Sequence, residues 1–409
     1  MTNRLYYQDS FLYDFDAKIH EVLDSPRPAI ILDRTAFYPT SGGQVFDTGT
    51  ITAANNKLKV TEVADAEDGR VVHYIEAERD FDKAGLKPGT HIHGQIDATR
   101  RRDHMQQHSG QHVLSAAFVR LYNMPTVSFH MADDYCSIDL DTPTLTKEQI
   151  ESAERLANEI VLENRAVDIR FVTRDEAEKL GLRKLPPTER DELRLIDIRD
   201  FDLTACGGTH VSQTGQIASI LLRKVERVRQ GWRVEFVAGQ RAVATARRDF
   251  TALTETAALF SAHMYDVPQQ ARKSLDEIKS LRKECEQSQQ ELAAAQASAL
   301  LAESPETSGR RIVVRTLSDR DLSFLKLLAQ KLTRLSPSAV ALLATTSPQP
   351  SLVFAQSPGQ PFDMGALMKE TMTKLGGRGG GSKDMAQGGI PHADGVDAAL
   401  HAIAAKLAA

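Results

Sequence analysis

Two five-residue segments constrain the fold of this chain more than any other feature. Residues 108–112 read His-Ser-Gly-Gln-His, and residues 206–210 read Cys-Gly-Gly-Thr-His. Each segment places two metal-ligand side chains four positions apart, and zinc accepts three imidazoles and one thiolate in a tetrahedral shell. The fold must bring the two segments together for one zinc ion to be bound. The four predicted ligands are His108, His112, Cys206 and His210.

The two ligand pairs require different local structures. Apolar residues recur at helical spacing between Met105 and Arg120, and positions i and i+4 share one face of a helix. The second pair encloses Gly207 and Gly208, which favour a tight turn that folds its two ends together. His104 lies a further four residues before the first pair, so spacing alone leaves open whether it joins the site.

Composition restricts the class of protein. The chain has 409 residues, a formal net charge of −5 and three cysteines, Cys136, Cys206 and Cys285. So few scattered cysteines do not form a disulfide framework. The net charge argues against general non-specific binding of nucleic acid, although local basic patches remain compatible with it. No apolar run reaches the ~20 residues of a membrane helix, and the first residues do not form a signal peptide, so we expect a cytoplasmic protein without membrane contact.

The first half of the chain predicts a β-rich domain followed by mixed α+β structure. Short apolar runs at 29–32, 71–75 and 91–96 are separated by turn-forming residues, which is typical of a small barrel. Thr146 and Gln149 then form a capping-box pattern at the start of an amphipathic helix. Strand-like runs are predicted at 128–140, 167–172, 193–198, 218–228 and 232–237.

The second half predicts a helical arm and a small α/β domain. Glycine and proline are almost absent from Pro268 to Ala302, and charges alternate along a partial apolar seam, which indicates a long helix or a short coiled-coil arm. Strands are then predicted at 311–314, 339–344 and 352–355, with a helix at 322–335. The predicted domains are 1–97 (barrel-like), 98–240 (zinc-binding α+β), 241–303 (helical arm) and 304–409 (small α/β).

Residues 35–44 form a second candidate site. The segment reads Thr-Ala-Phe-Tyr-Pro-Thr-Ser-Gly-Gly-Gln, which combines hydroxyls, a glycine pair and an amide. Glycines allow close approach to the backbone, and the polar side chains can hydrogen-bond a small polar group. A hairpin turn with a purely structural role is the alternative. The candidate residues are Thr35, Thr40, Ser41, Gly42, Gly43 and Gln44.

Two further segments are candidates for RNA contact. Residues 376–383 contain five glycines and two cations, so exposed backbone N–H groups together with Lys374, Arg378 and Lys383 can hold RNA phosphates. A flexible linker is the alternative. Arg100, Arg101 and Arg102 lie just before the first ligand pair and form a second candidate, although three adjacent arginines are more often simply solvated.

The motifs together resemble the alanyl-tRNA editing family. They are Phe37-Tyr38-Pro39 with the following Gly-Gly-Gln, the His-x-x-x-His segment, the Cys-Gly-Gly-Thr-His segment and the late glycine-rich stretch, in the family's order. The resemblance is to the long form with a C-terminal DHH-associated domain, and it covers nearly the whole chain. It implies an α+β fold in which the zinc-containing part is of the threonyl/alanyl-tRNA synthetase second additional domain type.

The resemblance also implies an activity. Such a protein hydrolyses the ester of mischarged tRNA-Ala, chiefly Ser-tRNA-Ala, with Gly-tRNA-Ala left open as a substrate. The β-rich segment begins at residue 1, so we expect no adenylation domain and action in trans. Homodimer formation through the helical arm or the C-terminal domain is left open.

The role of the zinc ion has two alternatives. Four protein ligands form a closed shell, whereas Lewis-acid hydrolysis needs an open position. Either one ligand, Cys206 or His210, is displaced, or zinc only stabilises the pocket and Gln44 with backbone N–H groups positions the attacking water. Serine exceeds alanine by one hydroxyl, and we expect Thr40 to hydrogen-bond it, with Thr35 and Ser41 as rivals.

Two other classes of function remain. One is a non-catalytic tRNA-binding protein with a structural zinc, which the closed ligand set favours. The other is a zinc hydrolase of a different small ester or amide, in which the C-terminal domain serves only dimerisation. Phosphodiester cleavage is disfavoured because the acidic metal-binding motifs that it requires are not evident in the sequence.

Overall fold

A computed structural model describes residues 1–23, 27–53, 56–76, 86–180, 182, 192–347 and 349–408. The fold is mixed α+β, as predicted, and it divides into two compact units, Met1–Glu255 and Thr256–Ala409. Among the described residues, no helix has the length and apolar character needed to cross a membrane.

A closed β-barrel forms the first part of the first unit, which confirms the barrel prediction. The strands of this part are β1 (Asn3–Arg4), β2 (Asp14–Leu23), β3 (Ala29–Leu32), β4 (Arg34–Thr35), β5 (Gly49–Ala53), β6 (Asn56–Asp65), β7 (Val71–Glu76) and β8 (His91–Ile96). In the described residues six of them close the barrel in the order β2-β3-β7-β6-β5-β8. Burial alternates along β2, where Phe15, Ala17 and Ile19 enter the barrel core.

Helices and two sheets make up the rest of the first unit. The elements are α1 (Ala98–Tyr122), β9 (Thr126–Met131), β10 (Cys136–Leu140), α2 (Lys147–Leu162), β11 (Val167–Thr173), α3 (Arg174–Lys179), β12 (Glu192–Ile198), β13 (Asp202–Ala205), β14 (Ile220–Val228), β15 (Gly231–Ala238) and α4 (Gly239–Leu259). Within the described ranges one sheet has the order β14-β15-β10-β9 and the other β11-β12-β13. The capping box of Thr146 and Gln149 at the start of α2 is present.

Helix α1 is polar yet buried. Asp97 caps its start by accepting hydrogen bonds from the N–H groups of Thr99 and Arg100. Every residue from 104 to 118 is buried, although most of residues 104–112 are polar. Gln107 exchanges two 2.8 Å hydrogen bonds with the backbone of Ala238 on β15, which satisfies one such side chain. A buried polar helix of this kind is expected where a fold holds functional groups rather than only a hydrophobic core.

The second unit contains a long helix and an α/β layer. Its elements are α5 (Val267–Glu303), β16 (Glu306–Thr307), β17 (Arg310–Leu317), α6 (Leu322–Leu335), β18 (Ala339–Thr345), β19 (Ser351–Gln356), α7 (Met364–Lys374), β20 (Arg378–Gly381), β21 (Met385–Gly389) and α8 (Val396–Ala408). In the described residues these strands form one sheet in the order β16-β17-β18-β19-β21-β20. The pairing of β17 with β18 is parallel.

Two sequence expectations about this half need correction. The arm is not one helix, because α4 ends at Leu259 and α5 starts at Val267 after a 3₁₀ turn at Met264–Asp266. Ser261 has a positive φ of 48°, and Pro268 occupies the first turn of α5, where a missing N–H costs nothing. The flexible-linker alternative for the glycine-rich segment is wrong, because part of the segment forms β20, which pairs with β21 at the edge of the sheet.

Candidate metal centre

The structure brings the four predicted ligands to one place. One ligand atom from each of His108, His112, Cys206 and His210 lies within 4.8 Å of every other. The Nε2 atoms of His108 and His210 are 3.4 and 3.3 Å from Cys206 Sγ. Tetrahedral zinc with usual bond lengths places nitrogen about 3.6 Å from sulfur, so the observed spacing is close to that of a zinc shell. His104 is buried but does not belong to this group.

Gln44 orients the first ligand, His108. Its Oε1 accepts a 2.7 Å hydrogen bond from His108 Nδ1 and a 3.1 Å bond from the backbone N–H of Thr209. Its Nε2 donates to Thr209 Oγ1 at 2.8 Å. Gln44 is fully buried, so this amide is fixed by three contacts. The acceptor at Nδ1 leaves the Nε2 of His108 for a metal.

The other two histidines are held in the same way. Asp202 Oδ2 lies 3.5 Å from His112 Nδ1. Ser109 Oγ lies 3.1 Å from His210 Nδ1 and also accepts the backbone N–H of Val211 at 3.1 Å. An outer acceptor on one ring nitrogen fixes the tautomer and turns the other nitrogen toward the ion. Each ligand histidine therefore has its own outer partner.

Glycines allow both turns to approach the cluster closely. Ser41 and Gln44 exchange 3.0 Å backbone hydrogen bonds around Gly42 and Gly43, whose φ angles of +57° and +84° favour glycine. A Cβ on Gly43 would meet the carbonyl oxygen of Phe129 at 2.5 Å. The segment therefore does form a turn. This turn places Gln44 against the metal ligand His108.

Gly208 has a separate steric role in the second ligand segment. A Cβ on Gly208 would lie 2.1 Å from Cε1 of His108, so any side chain there would displace that ring. Its N–H also donates to Cys206 Sγ at 3.3 Å. Glycine is therefore required at position 208, because the turn at 206–210 passes too close to the His108 ring for any side chain.

The protonation states of Cys206 and His210 favour metal binding, whereas His112 has to lose a proton to bind a metal. Burial raises the pKa of the Cys206 thiol, but the facing imidazoles of His108 and His210 outweigh it, and this pKa lies well below its usual value. Burial lowers the pKa of His210 to about 3, so the ring is neutral at pH 7. Burial also lowers the pKa of His112, yet hydrogen bonds to Asp202 and Cys206 outweigh this and raise it to about 9. A bound metal displaces such a proton.

The donor set fits zinc. It combines one thiolate with three imidazoles whose second nitrogens are already engaged, which is the chemistry that zinc selects over calcium or magnesium. The ligands His108, His112 and His210 are at least 96% buried, and Cys206 is only partly buried. The cluster is therefore most accessible to solvent on the side of Cys206.

Asp202 provides a direct test of the outer partners. We expect Asp202→Asn to weaken zinc affinity by about 10- to 100-fold, because the amide is a poorer acceptor for the His112 N–H. Competition with a chromophoric chelator measures the affinity. Asp200→Asn, at an exposed neighbouring position, is the control and is expected to bind zinc like the wild type. Equal affinities of Asp202→Asn and Asp200→Asn would contradict the role of Asp202.

The remaining candidates of residues 35–44 differ in their surroundings. Thr35 is fully buried, and its Oγ1 lies 2.8 Å from His73 Nε2 while accepting the N–H of Phe37. Thr40 is exposed and donates its backbone N–H to the carbonyl of Val63. Ser41 is exposed as well. Of this segment, Gln44 has the direct contact with a metal ligand.

Arg101 is placed differently from the sequence expectation. Its side chain is fully buried and forms an ion pair with buried Asp47, so it does not offer a cation to RNA. Arg100 is half-buried and donates to the carbonyl of Phe46, whereas Arg102 is exposed. In the second unit, Lys374, Arg378 and Lys383 are exposed, and Lys374 pairs with Glu370 at 3.0 Å. RNA contact by the exposed cations stays a prediction.

Several residues that contact the cluster were missed from sequence. Ser109 and Thr209 lie inside the two ligand segments, so their position was a usable signal. Asp202 precedes Cys206 by four residues without any motif of its own. Arg194 contacts the backbone of Cys206 from β12, and only the sheet pairing reveals this contact.

Family models match three parts of the chain, and one solved structure aligns with a quarter of it. The family model of class II (A) tRNA synthetases matches residues 4–100, that of the threonyl and alanyl tRNA synthetase second additional domain matches 193–234, and the DHHA1 domain matches 309–409. The solved C-Ala domain of Aquifex aeolicus alanyl-tRNA synthetase aligns with 26% of this chain and 98% of that chain, at a TM-score of 0.24 and 20% identity.

Two curated relatives align along almost the whole chain. The alanine–tRNA ligase of Thermococcus kodakarensis is 34% identical over 95% of this chain, but the chain spans only 42% of that ligase. The alanyl-tRNA editing protein AlaX-L of Pyrococcus horikoshii is 30% identical over 95% of both chains. The barrel, the second additional domain with its His/Cys cluster and the DHHA1 domain define a protein of the tRNA-synthetase-related editing class. The chain belongs to the alanyl-tRNA editing protein family, in the long form represented by AlaX-L.

Proposed function

We propose that this protein is an aminoacyl-tRNA deacylase that acts in trans on tRNA-Ala mischarged with serine, with Gly-tRNA-Ala as a candidate second substrate. The observation that carries the proposal is the buried His/Cys cluster, in which each histidine has a polar partner near its second ring nitrogen. It lies in a chain that aligns with 95% of an alanyl-tRNA editing protein. The proposed setting is the cytoplasm, where charged tRNA is used.

The proposed mechanism has two parts, the chemistry of a bound zinc ion and the positioning of the substrate by residues of the chain. His108, His112, Cys206 and His210 would hold a zinc ion, which would supply either polarisation of the substrate, with a coordination position open, or stabilisation of the pocket, with all positions closed. Gln44 fixes the His108 ring and the Thr209 backbone at the same time. These contacts support a positioning role, in which Gln44 keeps this side of the pocket rigid and thereby orients the substrate and the attacking water.

The hydroxyl that distinguishes serine from alanine needs a hydrogen-bond partner in the pocket. Thr40 is proposed for this role, since its side chain is exposed beside the Gly-Gly-Gln turn, whereas Thr35 already contacts His73. We expect Thr40→Val to lower the rate ratio for Ser-tRNA-Ala over Ala-tRNA-Ala by about tenfold or more. Thr40→Ser, which keeps the hydroxyl, should retain the ratio. Unchanged ratios in Thr40→Val would exclude Thr40.

The experiment that tests the proposed function is a deacylation assay. Purified protein with measured zinc content is mixed with Ser-tRNA-Ala, Gly-tRNA-Ala, Ala-tRNA-Ala and Ser-tRNA-Ser, and release of the amino acid is followed. Release of serine from tRNA-Ala but not from tRNA-Ser is the expected result. Hydrolysis of small aminoacyl esters without dependence on tRNA would instead indicate a general zinc esterase.

A second candidate function is tRNA binding without catalysis. Four protein ligands are sufficient to close a zinc shell, and this observation favours a structural ion. Tight binding of tRNA-Ala without release of serine would support this candidate against the deacylase. The proposed partner is tRNA-Ala in both cases. A homodimer through α5 or the C-terminal domain is also proposed, because Leu275, Ile278 and Leu281 of α5 are exposed.

A further inference from the structure

A cleft in the first unit reaches the partly exposed side of the metal cluster. Its volume is about 770 Å³, and its wall includes Cys206 and Gly207 at the metal end. Strand β12 contributes Arg194, strand β11 contributes Phe171, and the segment after β1 contributes Tyr7.

Arg194 is a buried cation with an unused donor. Only 8% of it is exposed, its Nε donates to the carbonyl of Tyr7 at 2.9 Å, and its Nη1 donates to the carbonyl of Cys206 at 2.6 Å. Its Nη2 has no hydrogen-bond partner among the described residues. Both acceptors are neutral, and no ion pair of Arg194 with a carboxylate occurs in the described ranges.

The unused donor requires an explanation. A buried donor without an acceptor costs about 1–3 kcal/mol, and a guanidinium without a carboxylate partner matches an anionic oxygen in geometry and in charge. Burial lowers the pKa of Arg194, as expected for a cation without a carboxylate partner. Arg4 also lines the cleft, but Asp65 neutralises it through bonds of 2.6 and 2.7 Å. Glu192 is exposed, where water screens its charge.

Phe171 adds an aromatic surface next to this cation. It lies directly opposite Arg194 in the antiparallel pairing of β11 and β12, so both side chains are on the same face of the sheet. Phe171 is 44% exposed, which is unusual for a large apolar ring on a strand. An exposed aromatic ring beside an arginine is the arrangement that binds a nucleotide, through base stacking and a phosphate contact.

We propose that this cleft binds the 3′-terminal nucleotide of the RNA substrate, with the base on Phe171 and the phosphate that precedes the terminal adenosine at the guanidinium of Arg194. The aminoacyl ester on the ribose then lies toward Cys206. This inference rests on the proposed function, because it states where the substrate of that function binds next to the metal cluster. Any RNA with a terminal adenosine provides the required chemistry, so uncharged tRNA-Ala is a suitable probe.

The first test compares tRNA-Ala with the complete CCA end and tRNA-Ala that lacks the terminal adenosine. Wild-type protein should bind the complete form about tenfold or more tightly, because stacking of one base contributes about that factor. Phe171→Leu should lose most of this preference. Phe250→Leu is the matched control, since Phe250 is 47% exposed but lies outside the cleft, and it should keep the preference. Equal preferences in both variants would overturn the role of Phe171.

The second test uses wild-type protein only, so that folding of a variant plays no part. The phosphate before the terminal adenosine is replaced by a neutral methylphosphonate, and the affinity should fall by about tenfold or more. Unchanged affinity would overturn the assignment of Arg194. Deacylation of Ser-tRNA-Ala is measured beside both tests. Normal deacylation with negative binding results rejects the cleft alone, whereas absence of deacylation and of tRNA binding rejects the proposed function.

Discussion

Arg101→Met is expected to lower the free energy of unfolding by about 3–5 kcal/mol, because it leaves the buried carboxylate of Asp47 without its countercharge. Both side chains are fully buried. Arg101 donates to Asp47 and also to the carbonyls of Ser10 and Ala36, so one guanidinium joins α1 to three backbone segments of the barrel region.

Urea unfolding followed by fluorescence measures this loss. The single tryptophan, Trp232, lies on β15 in the same unit and reports its unfolding. Arg102→Met is the matched control, because Arg102 is the adjacent residue but is exposed, and we expect a change within about 0.5 kcal/mol. Similar losses in the two variants would show that the Arg101 ion pair does not stabilise the fold.

The same ion pair connects stability with the site. Asp47 also accepts the backbone N–H of Tyr38 at 2.7 Å, so it fixes both ends of the segment that carries Gln44. Loosening this segment removes the acceptor from His108 Nδ1. We therefore expect Arg101→Met to weaken zinc binding in addition to its effect on unfolding, although neither residue contacts a ligand.

Sequence could not reveal the role of Arg101. Three adjacent arginines have the appearance of a solvated surface, and only the tertiary structure shows that the middle one points inward. Its partner Asp47 is 54 positions away and belongs to no motif. The choice between burial and exposure depends here on which face of α1 packs on the barrel, and periodicity could not settle it because this helix is polar on its buried side.

The metal ligands were predictable because the relevant information is local. An i, i+4 pair on a helix and a Gly-Gly turn each fix the spacing of two ligands, and zinc chemistry fixes the total number. The outer partners Gln44 and Asp202 come from distant segments, so their pairing with His108 and His112 required the fold. Secondary structure was likewise predictable where the signal is local. Helix α6 was predicted at its observed bounds, whereas the break between α4 and α5 was not visible in the local composition.

The glycine-rich segment shows a limit of composition. Five glycines in eight residues left a flexible linker as an alternative, but Arg378–Gly381 pairs with β21 instead. Glycine lacks a side chain that would clash with Met372, which packs within 3.0 Å of the Cβ positions at Gly379 and Gly388. Here glycine serves close packing between a strand and α7 rather than flexibility.

Cys206→Ala is expected to lower zinc affinity by about 10²- to 10³-fold or more, since one of four ligands contributes roughly a quarter of the 10–16 kcal/mol that a structural zinc supplies. Substitution by cobalt gives a direct signal, because a thiolate ligand produces a charge-transfer band that alanine cannot. Cys285→Ala is the matched control, since Cys285 is an exposed cysteine on α5, and it should keep both the band and the zinc content. A retained band in Cys206→Ala would contradict the ligand assignment.

The same variant separates the two proposed roles of zinc. Each of His108→Ala, His112→Ala and His210→Ala removes one ligand, as Cys206→Ala does, and deacylation of Ser-tRNA-Ala is measured at saturating zinc for all four. A stabilising ion predicts that activity follows zinc occupancy in all four variants, because any loaded site restores the pocket. An ion that acts on the substrate predicts that the loaded variants differ, since a lost ligand changes the charge and the open position at the metal. Cys206 is the most exposed ligand and faces the cleft, so its loaded variant should deviate most.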